Sequence, residues 1–406
     1  MRRIVLVAAI ACAILAAFSG AAASAPTTAK LTTITVDTLP IANGLPLDLG
    51  IKKGFFEAQG IEISKKTLQS GNDIVLALAN NNGDIGYVGW VPAMIARTQG
   101  IPLSAVAASD VEGTSEADNW QNIMVKGDSS IRRPADLAGK TIAVNALKGV
   151  GEVMIKAALK KVGVNPNSIK LVAIPFPAMR AALRNGQIDA MWAPEPFVTQ
   201  ALNLDGARIV MAPGPVLGKF WPIGCYVALN AWTRKNPALA KKFHAAINKS
   251  LAYAQAHPDE IRALLPAATQ NIRLPIWSPL IDRAKLQQLA RYSKEFGVIN
   301  ALPNMTQLVP SSILGGKTLQ ATVGPGSFLA FRLDGRAIRT LKAGKYTIVV
   351  SDKSRTGNFH IKGPRLDKKT SLKGTGRSTW TITLRKGRYH YMSDARPAAK
   401  GTVRVT

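Results

Sequence analysis

Cysteine is nearly missing from this chain. Only Cys12 and Cys225 occur in 406 residues. Removing an N-terminal leader would leave Cys225 alone, so an internal disulfide is excluded and burial must hold the core. Histidine is also scarce, with residues 244, 257, 360 and 390 scattered along the chain. No H-E-x-x-H, G-x-S-x-G, P-loop or cysteine cluster appears, so the common metal, acyl-transfer and nucleotide chemistries have no motif to stand on. No catalytic residue, metal site or cofactor is expected. Long apolar runs are absent after the first twenty residues, which excludes a later membrane span. Acids are few: 24 against 52 lysines and arginines.

The one apolar run is I-V-L-V-A-A-I-A-C-A-I-L-A-A-F, behind M-R-R and ahead of A-A-A-S-A at 21–25. This reads as a secretory signal peptide over 1–25, which places the mature protein in the periplasm or at the cell surface. Two alternatives stay open: an uncleaved anchor, and acylation at Cys12. Against the second, Ala9 stands three before the cysteine and the apolar run continues past it.

The basic excess is uneven. Residues 318–406 hold 19 lysines and arginines against 4 acids. For an exported chain such a tail suits anionic cell-envelope polymers or lipid headgroups. Nucleic acid is not expected, because no recognition motif accompanies the charge. A solvated basic surface remains the plain alternative.

Two phrases are nearly the same: N-G-D-I-G-Y-V-G-W at 82–90 and N-G-Q-I-D-A-M-W at 185–192. Each follows an apolar helical stretch and precedes a run suited to a buried strand. Gly83 and Gly186 are predicted to close the helices in left-handed backbone. Strands at 33–39, 61–64 and 103–109 alternate with helices at 73–81 and 92–99, which implies a largely parallel sheet. Val150, Val153, Met154, Ala157, Ala158 and Val162 are predicted to share one helical face, with longer helices near 233–256 and 281–296.

The series G-F-F-E-A-Q-G-I-E-I, A-L-A-N-N-N-G-D-I-G, D-S-S-I-R-R-P-A-D-L-A-G-K-T-I-A-V and A-A-L-R-N-G-Q-I-D-A-M-W resembles the solute-binding proteins of ABC importers, in the branch for nitrate, sulfonate, taurine and thiamine-precursor pyrimidines. The resemblance spans about residues 31–313. It implies a type II periplasmic-binding-protein fold within the solute-binding domain at 30–313. Lobe I is expected at about 30–124 and 226–313, and lobe II at about 125–225, with crossings near 122–126 and 223–229. It also implies an ABC permease and its ATPase as partners, and a small solute held between the lobes. The repeated phrase is then one helix-to-strand junction per lobe, with Trp90 and Trp192 facing each other across the cleft.

Within that frame, free N–H groups at helix starts suit an anionic head. The candidates are Ser70, Gly71 and Asn72 in one lobe and Asn145, Lys148 and Gly149 in the other. Asn43 is a further polar candidate. Trp90, Trp120, Phe176 and Trp192 can stack on a planar or apolar body. Glu195 can accept a hydrogen bond from an amine. A thiamine-pyrimidine synthase-like enzyme is the catalytic alternative, opposed by the leader and the single Cys225. A cell-surface adhesion or sensory protein with the same cleft is the other.

After P-N-M-T-Q-L-V-P-S-S-I-L-G-G-K at 303–317, read as a linker, the pattern changes to period two. Residues 320–406 predict a small antiparallel all-β sandwich. Y-T-I-V-V-S-D-K-S-R-T-G-N-F-H-I-K-G-P and Y-H-Y-M-S-D-A-R-P-A-A-K-G-T-V-R-V resemble the cupredoxins. That resemblance puts Gly357 and Arg396 at histidine ligand positions, Ser393 at the cysteine position and Lys400 near the methionine position. No type 1 copper is therefore expected.

Overall fold

The computed structural model describes residues 30–310, 318–324, 329–333, 336–372 and 375–406. The leader expected at 1–25, with Cys12, and linker residues 311–317 lie outside them. Among the described residues no helix is long and apolar enough to cross a membrane.

Two five-stranded sheets carry the first three hundred residues, and they are built alike. The first runs, in spatial order, Ile61–Thr67, Thr32–Thr38, Ile85–Gly89, Gly224–Leu229, Leu103–Ala108. The second, read from the equivalent edge, runs Lys170–Ala173, Thr141–Val144, Ala190–Pro194, Gln121–Val125, Arg208–Met211. In each sheet the first three strands are parallel and the fourth opposes both neighbours. That fourth strand is the one the chain reaches by crossing from the other sheet. The crossings are tied to each other: Glu112 N–H donates to Trp221 O at 2.8 Å and Ile223 N–H to Asp110 O at 3.1 Å.

The repeated phrase marks the third strand of each sheet, but its structural register differs from its spelling. The helices Gly71–Ala79 and Phe176–Arg184 end 105 positions apart, not the 103 that separate Gly83 from Gly186. The left-handed residue closing the first helix is Asn81 (φ 58°), and Gly186 (φ 70°) closes the second. The bonds correspond: Asn82 N–H donates to Ala77 O, and Gln187 N–H to Ala182 O, each closing its helix end. Gly83 serves a different need, since a Cβ there would lie 2.1 Å from Asp37 Oδ2. Asp84 and Asp189 are also equivalent. Asp84 accepts from Thr35 N–H and Asp189 from Thr141 N–H, both at 2.8 Å.

Each sheet has its own apolar core, and the helix Val150–Lys161 serves both. Val153, Met154 and Ala157 pack with the first sheet, and Ile155, Ala158 and Leu159 with the second. The single face expected from the sequence is thus split, and Val162 is exposed. The helix expected at 233–256 is broken at Asn236, where Pro237 starts Pro237–Ala256.

Residues from 318 onward form two more five-stranded sheets around a shared core that includes Leu319, Ile348, Phe359, Ile361, Tyr389 and Val403. The sandwich is mixed rather than antiparallel: Thr318–Val323 runs parallel to Gly344–Asp352, and Thr340–Leu341 parallel to Arg396–Val405. Period two shows which side chains face inward but says nothing of a neighbour's direction.

Candidate functional site

A cavity of about 50 Å³ lies where the two similar sheets meet. Third-strand ends supply Gly89, Trp192 and Pro194, and the crossings supply Trp120, Gln121 and Ile223. Four helices of nine residues or more begin on its wall, one of them Trp90–Thr98, capped by Gly89. Gly71 and Asn72 open Gly71–Ala79, Gly149 caps Val150–Lys161, and Phe176 opens Phe176–Arg184. The first N–H groups of a helix lack intrahelical partners and sit at the positive end of its dipole. Such a wall stabilises negative charge without any cation, and no lysine, arginine, aspartate or glutamate is on this lining.

Two buried polar atoms of the lining lack a partner among the described residues. One is the Trp192 indole N–H, a donor, and the other is Asn43 Oδ1, an acceptor. Burying either unpaired costs about 1–3 kcal/mol, so both point to a guest that completes them. Both side chains are held. A Cβ on Gly151 would lie 2.6 Å from Trp192 Cε3, so only glycine lets the helix lie this close to the indole. Asn43 Nδ2 donates to Asp110 Oδ2 at 2.8 Å, and the Asn43 backbone carbonyl accepts from Trp277 Nε1 at 3.2 Å.

Buried carboxylates stand behind the lining. Asp110 also accepts from the Tyr87 hydroxyl at 2.8 Å. Burial raises its pKa to about 6, against the pull of the bonds from Tyr87 and Asn43. Glu112, fully buried on the crossing, accepts from Gln121 Nε2; burial raises its pKa to about 8. At neutral pH Glu112 is therefore mainly protonated.

Of the residues singled out from the sequence, Asn43, Gly71, Asn72, Trp120, Asn145, Gly149, Phe176 and Trp192 are on the lining. Trp90, Ser70, Lys148 and Glu195 are not. Trp90 is 2 % exposed in the first core, and it does not face Trp192. The 105-residue register makes Tyr87 the counterpart of Trp192, and Tyr87 does line the cavity. Ser70 is occupied as a cap, accepting from Asp73 N–H at 3.1 Å and donating to Asp73 Oδ2 at 2.7 Å. Lys148 is exposed, its N–H given to Glu152. Glu195 is buried and takes bonds from Thr199 N–H, Thr199 Oγ1 and Arg273 N–H, which tie a helix start to a distant loop. Sequence reasoning missed Tyr87 and Gln121. The corrected register points to the first, and the start of a crossing strand to the second.

Two similar α/β sheets, crossed twice and enclosing a small polar-and-aromatic cavity, define the two-lobed binding-protein class. The chain belongs to the NMT1/THI5-like family, whose sequence profile matches residues 42–261. It is similar to the taurine-binding periplasmic protein of Escherichia coli K12, 31 % identical over 210 residues, covering 50 % of this chain and 61 % of that one. A putative aliphatic sulfonates-binding protein of the same bacterium is 25 % identical over 221 residues, covering 54 % and 66 %. The chain thus matches less than two thirds of either relative's length. Among solved structures, the alkanesulfonate-binding protein SsuA from Xanthomonas axonopodis pv. citri, bound to MOPS, shares the fold. Its TM-score is 0.57 at 21 % identity, with 70 % of this chain and 98 % of that one covered.

Proposed function

We propose that this protein is the exported, periplasmic or surface-held solute-binding component of an ABC importer. It captures a small organic anion between two lobes and hands it to a membrane permease driven by its ATPase. The observation that carries the reading is a cavity wall of four helix starts with a Trp192 N–H that has no partner among the described residues, and no cation on the lining. Those donors suit the oxygens of a sulfonate, nitrate or similar oxyanion. Asn43 Oδ1 suits an N–H or O–H on the same solute, as in a taurine-like molecule, and Trp120, Phe176 and Trp192 suit an organic body. The family's taurine- and sulfonate-binding members support the same class of solute.

Closure is the working step. A solute touching both lobes favours the closed state by the difference in its affinity for the two states. We take the lobes to be about 30–124 with 226–313, and about 125–225, hinged at the paired crossings, followed by the separate sandwich at 320–406. An enzymatic role has little to act through, since no histidine or cysteine lines the cavity and Cys225 is buried with its thiol pKa pushed up by desolvation. The sandwich is read as cupredoxin-like without copper. Ser393 Oγ accepts from Asn358 N–H at 3.2 Å, and a Cβ on Gly357 would sit 3.3 Å from it, so neither position offers a metal ligand.

The test is a thermal melt of the exported chain against taurine, alkane- and aryl-sulfonates, nitrate, bicarbonate and hydroxymethyl-pyrimidine. Solute at a hundred times its dissociation constant adds about 2.7 kcal/mol. One chemical class should raise the midpoint by several degrees; no response to any of them sinks the reading.

A further inference from the structure

Six of the 19 lysines and arginines of residues 318–406 stand together at one end of the sandwich. Three connections meet at one end: Lys342–Ala343, Pro364–Arg365 and Arg385–Lys386. The pairings place them together, because Gly344 pairs with Leu384, and Gly387 with Val405. Two buried tyrosines pin them there. The Tyr346 hydroxyl donates to Lys342 O at 2.7 Å. The Tyr389 hydroxyl donates to Pro364 O at 3.2 Å and accepts from Arg385 N–H at 2.9 Å. Arg388 and Arg404 stand directly opposite each other on the neighbouring strands.

This end carries Lys342, Arg365, Arg385, Lys386, Arg388 and Arg404, all exposed. The acids described in the domain are engaged elsewhere. Asp367 and Asp394 hold His360, and Asp352 accepts from Thr370 and from the backbone N–H of Ser354. Two features of the rim are unfavourable to the folded domain alone. Like charges in register across a sheet repel. Arg365 sits in left-handed backbone (φ 55°), a conformation easier for glycine or asparagine. Guanidinium groups match phosphate in fork geometry, and four of the six cations are arginines.

We propose that this rim docks the protein on the phosphate headgroups of an anionic lipid surface. Four of the cations lie on connections drawn from both sheets and two, Arg388 and Arg404, on the adjoining strands, so they spread over a face rather than along a line. That shape suits a membrane plane rather than a single polymer strand. No large apolar side chain stands among the six, so the contact is electrostatic and reversible, without insertion. The proposal goes beyond the solute-binding reading and needs from it only a location outside the cytoplasm.

The test is cosedimentation of the exported chain with phosphatidylcholine vesicles, with and without phosphatidylglycerol. Binding is expected only with the anionic lipid and is expected to weaken with salt. Arg385→Gln, Lys386→Gln, Arg388→Gln and Arg404→Gln together should lower the partition roughly tenfold or more. Removing the same charge at Lys52, Lys161, Lys241 and Lys242 should leave it nearly unchanged. Melting curves check that both variants fold. Failure to bind anionic vesicles, equal losses in the two variants, or capture of long-chain polyphosphate without vesicle binding would each overturn the proposal. None of these outcomes depends on the solute cleft.

Discussion

Gly89 and Val150 touch across the cleft, one at the end of a first-sheet strand and the other opening a helix of the second lobe. A Cβ on Gly89 would lie 2.2 Å from Val150 Cγ2. Gly89 has φ −68°, which alanine adopts freely, so the only serious obstacle to a methyl group is the opposite lobe. Gly89→Ala should therefore hold the lobes apart and weaken solute binding about tenfold or more while leaving the melting midpoint of the empty protein nearly unchanged. Val150→Ala in the same chain should restore most of the affinity. Calorimetric titration of the single and double variants decides it, and an unrescued double variant would show that the contact does not govern closure.

Among the described residues, the Trp192 indole N–H is the one side-chain donor of the lining left buried and unpaired. Trp192→Phe keeps an aromatic ring beside the lining and removes the N–H together with part of the indole that packs on Gly151. A hydrogen bond to a charged group contributes about 1.5–3 kcal/mol, so affinity for an anionic solute should fall roughly ten- to hundredfold. Unchanged affinity would mean that the indole serves packing alone.

How far the sequence was legible depended on what kind of signal each residue left. Helix starts were readable because capping and glycine have local causes, and Gly71, Asn72 and Gly149 do line the cavity. The repeat was readable as a duplication but not in register. Asn81 takes the left-handed place that the spelling assigned to Gly83, and this two-residue slip moved attention from Tyr87 to Trp90. Since side chains alternate along a strand, register decides which aromatic meets solute and which meets core. Glu195 looked like a recognition group because nothing local revealed Thr199 and Arg273 waiting for it. The rim of the sandwich was visible only as net charge, because its convergence depends on strand pairing.

Glu112, on the crossing, gives the fold a pH dependence. Its pKa is about 8 in the folded protein, raised by burial, against an ordinary 4.5. The folded state thus keeps a proton that the unfolded chain has released, and stability should fall as pH rises from 4.5 to about 8 and level off beyond. Glu112→Gln retains the acceptor for Gln121 and removes the charge. Its melting midpoint should exceed that of the parent by a margin that grows up to about pH 8. Asp110, raised to about 6, leaves a residual slope below that pH in both proteins. Parallel curves for the two proteins would contradict this assignment.

His360 gives the sandwich the opposite dependence. Its Nδ1 lies 2.6 Å from Asp394 and its Nε2 2.7 Å from Asp367, so both ring nitrogens face carboxylates and a protonated ring has an acceptor for each N–H. Partial burial pulls the imidazole pKa down, but the bonds to Asp394 and Asp367 outweigh it and hold the pKa above the ordinary 6.5. Because the folded value is the higher one, the stabilisation is complete below 6.5 and is lost as pH rises through the folded pKa. The three residues join the hairpin His360–Lys369 to the turn after Gly387–Ser393. His360→Gln, which cannot carry the charge, should therefore destabilise the sandwich most at acidic pH, and the difference from the parent should shrink in alkali. NMR titration of the His360 ring should show a midpoint above 6.5; one at or below it would mean that desolvation wins and that the two aspartates do not hold an imidazolium.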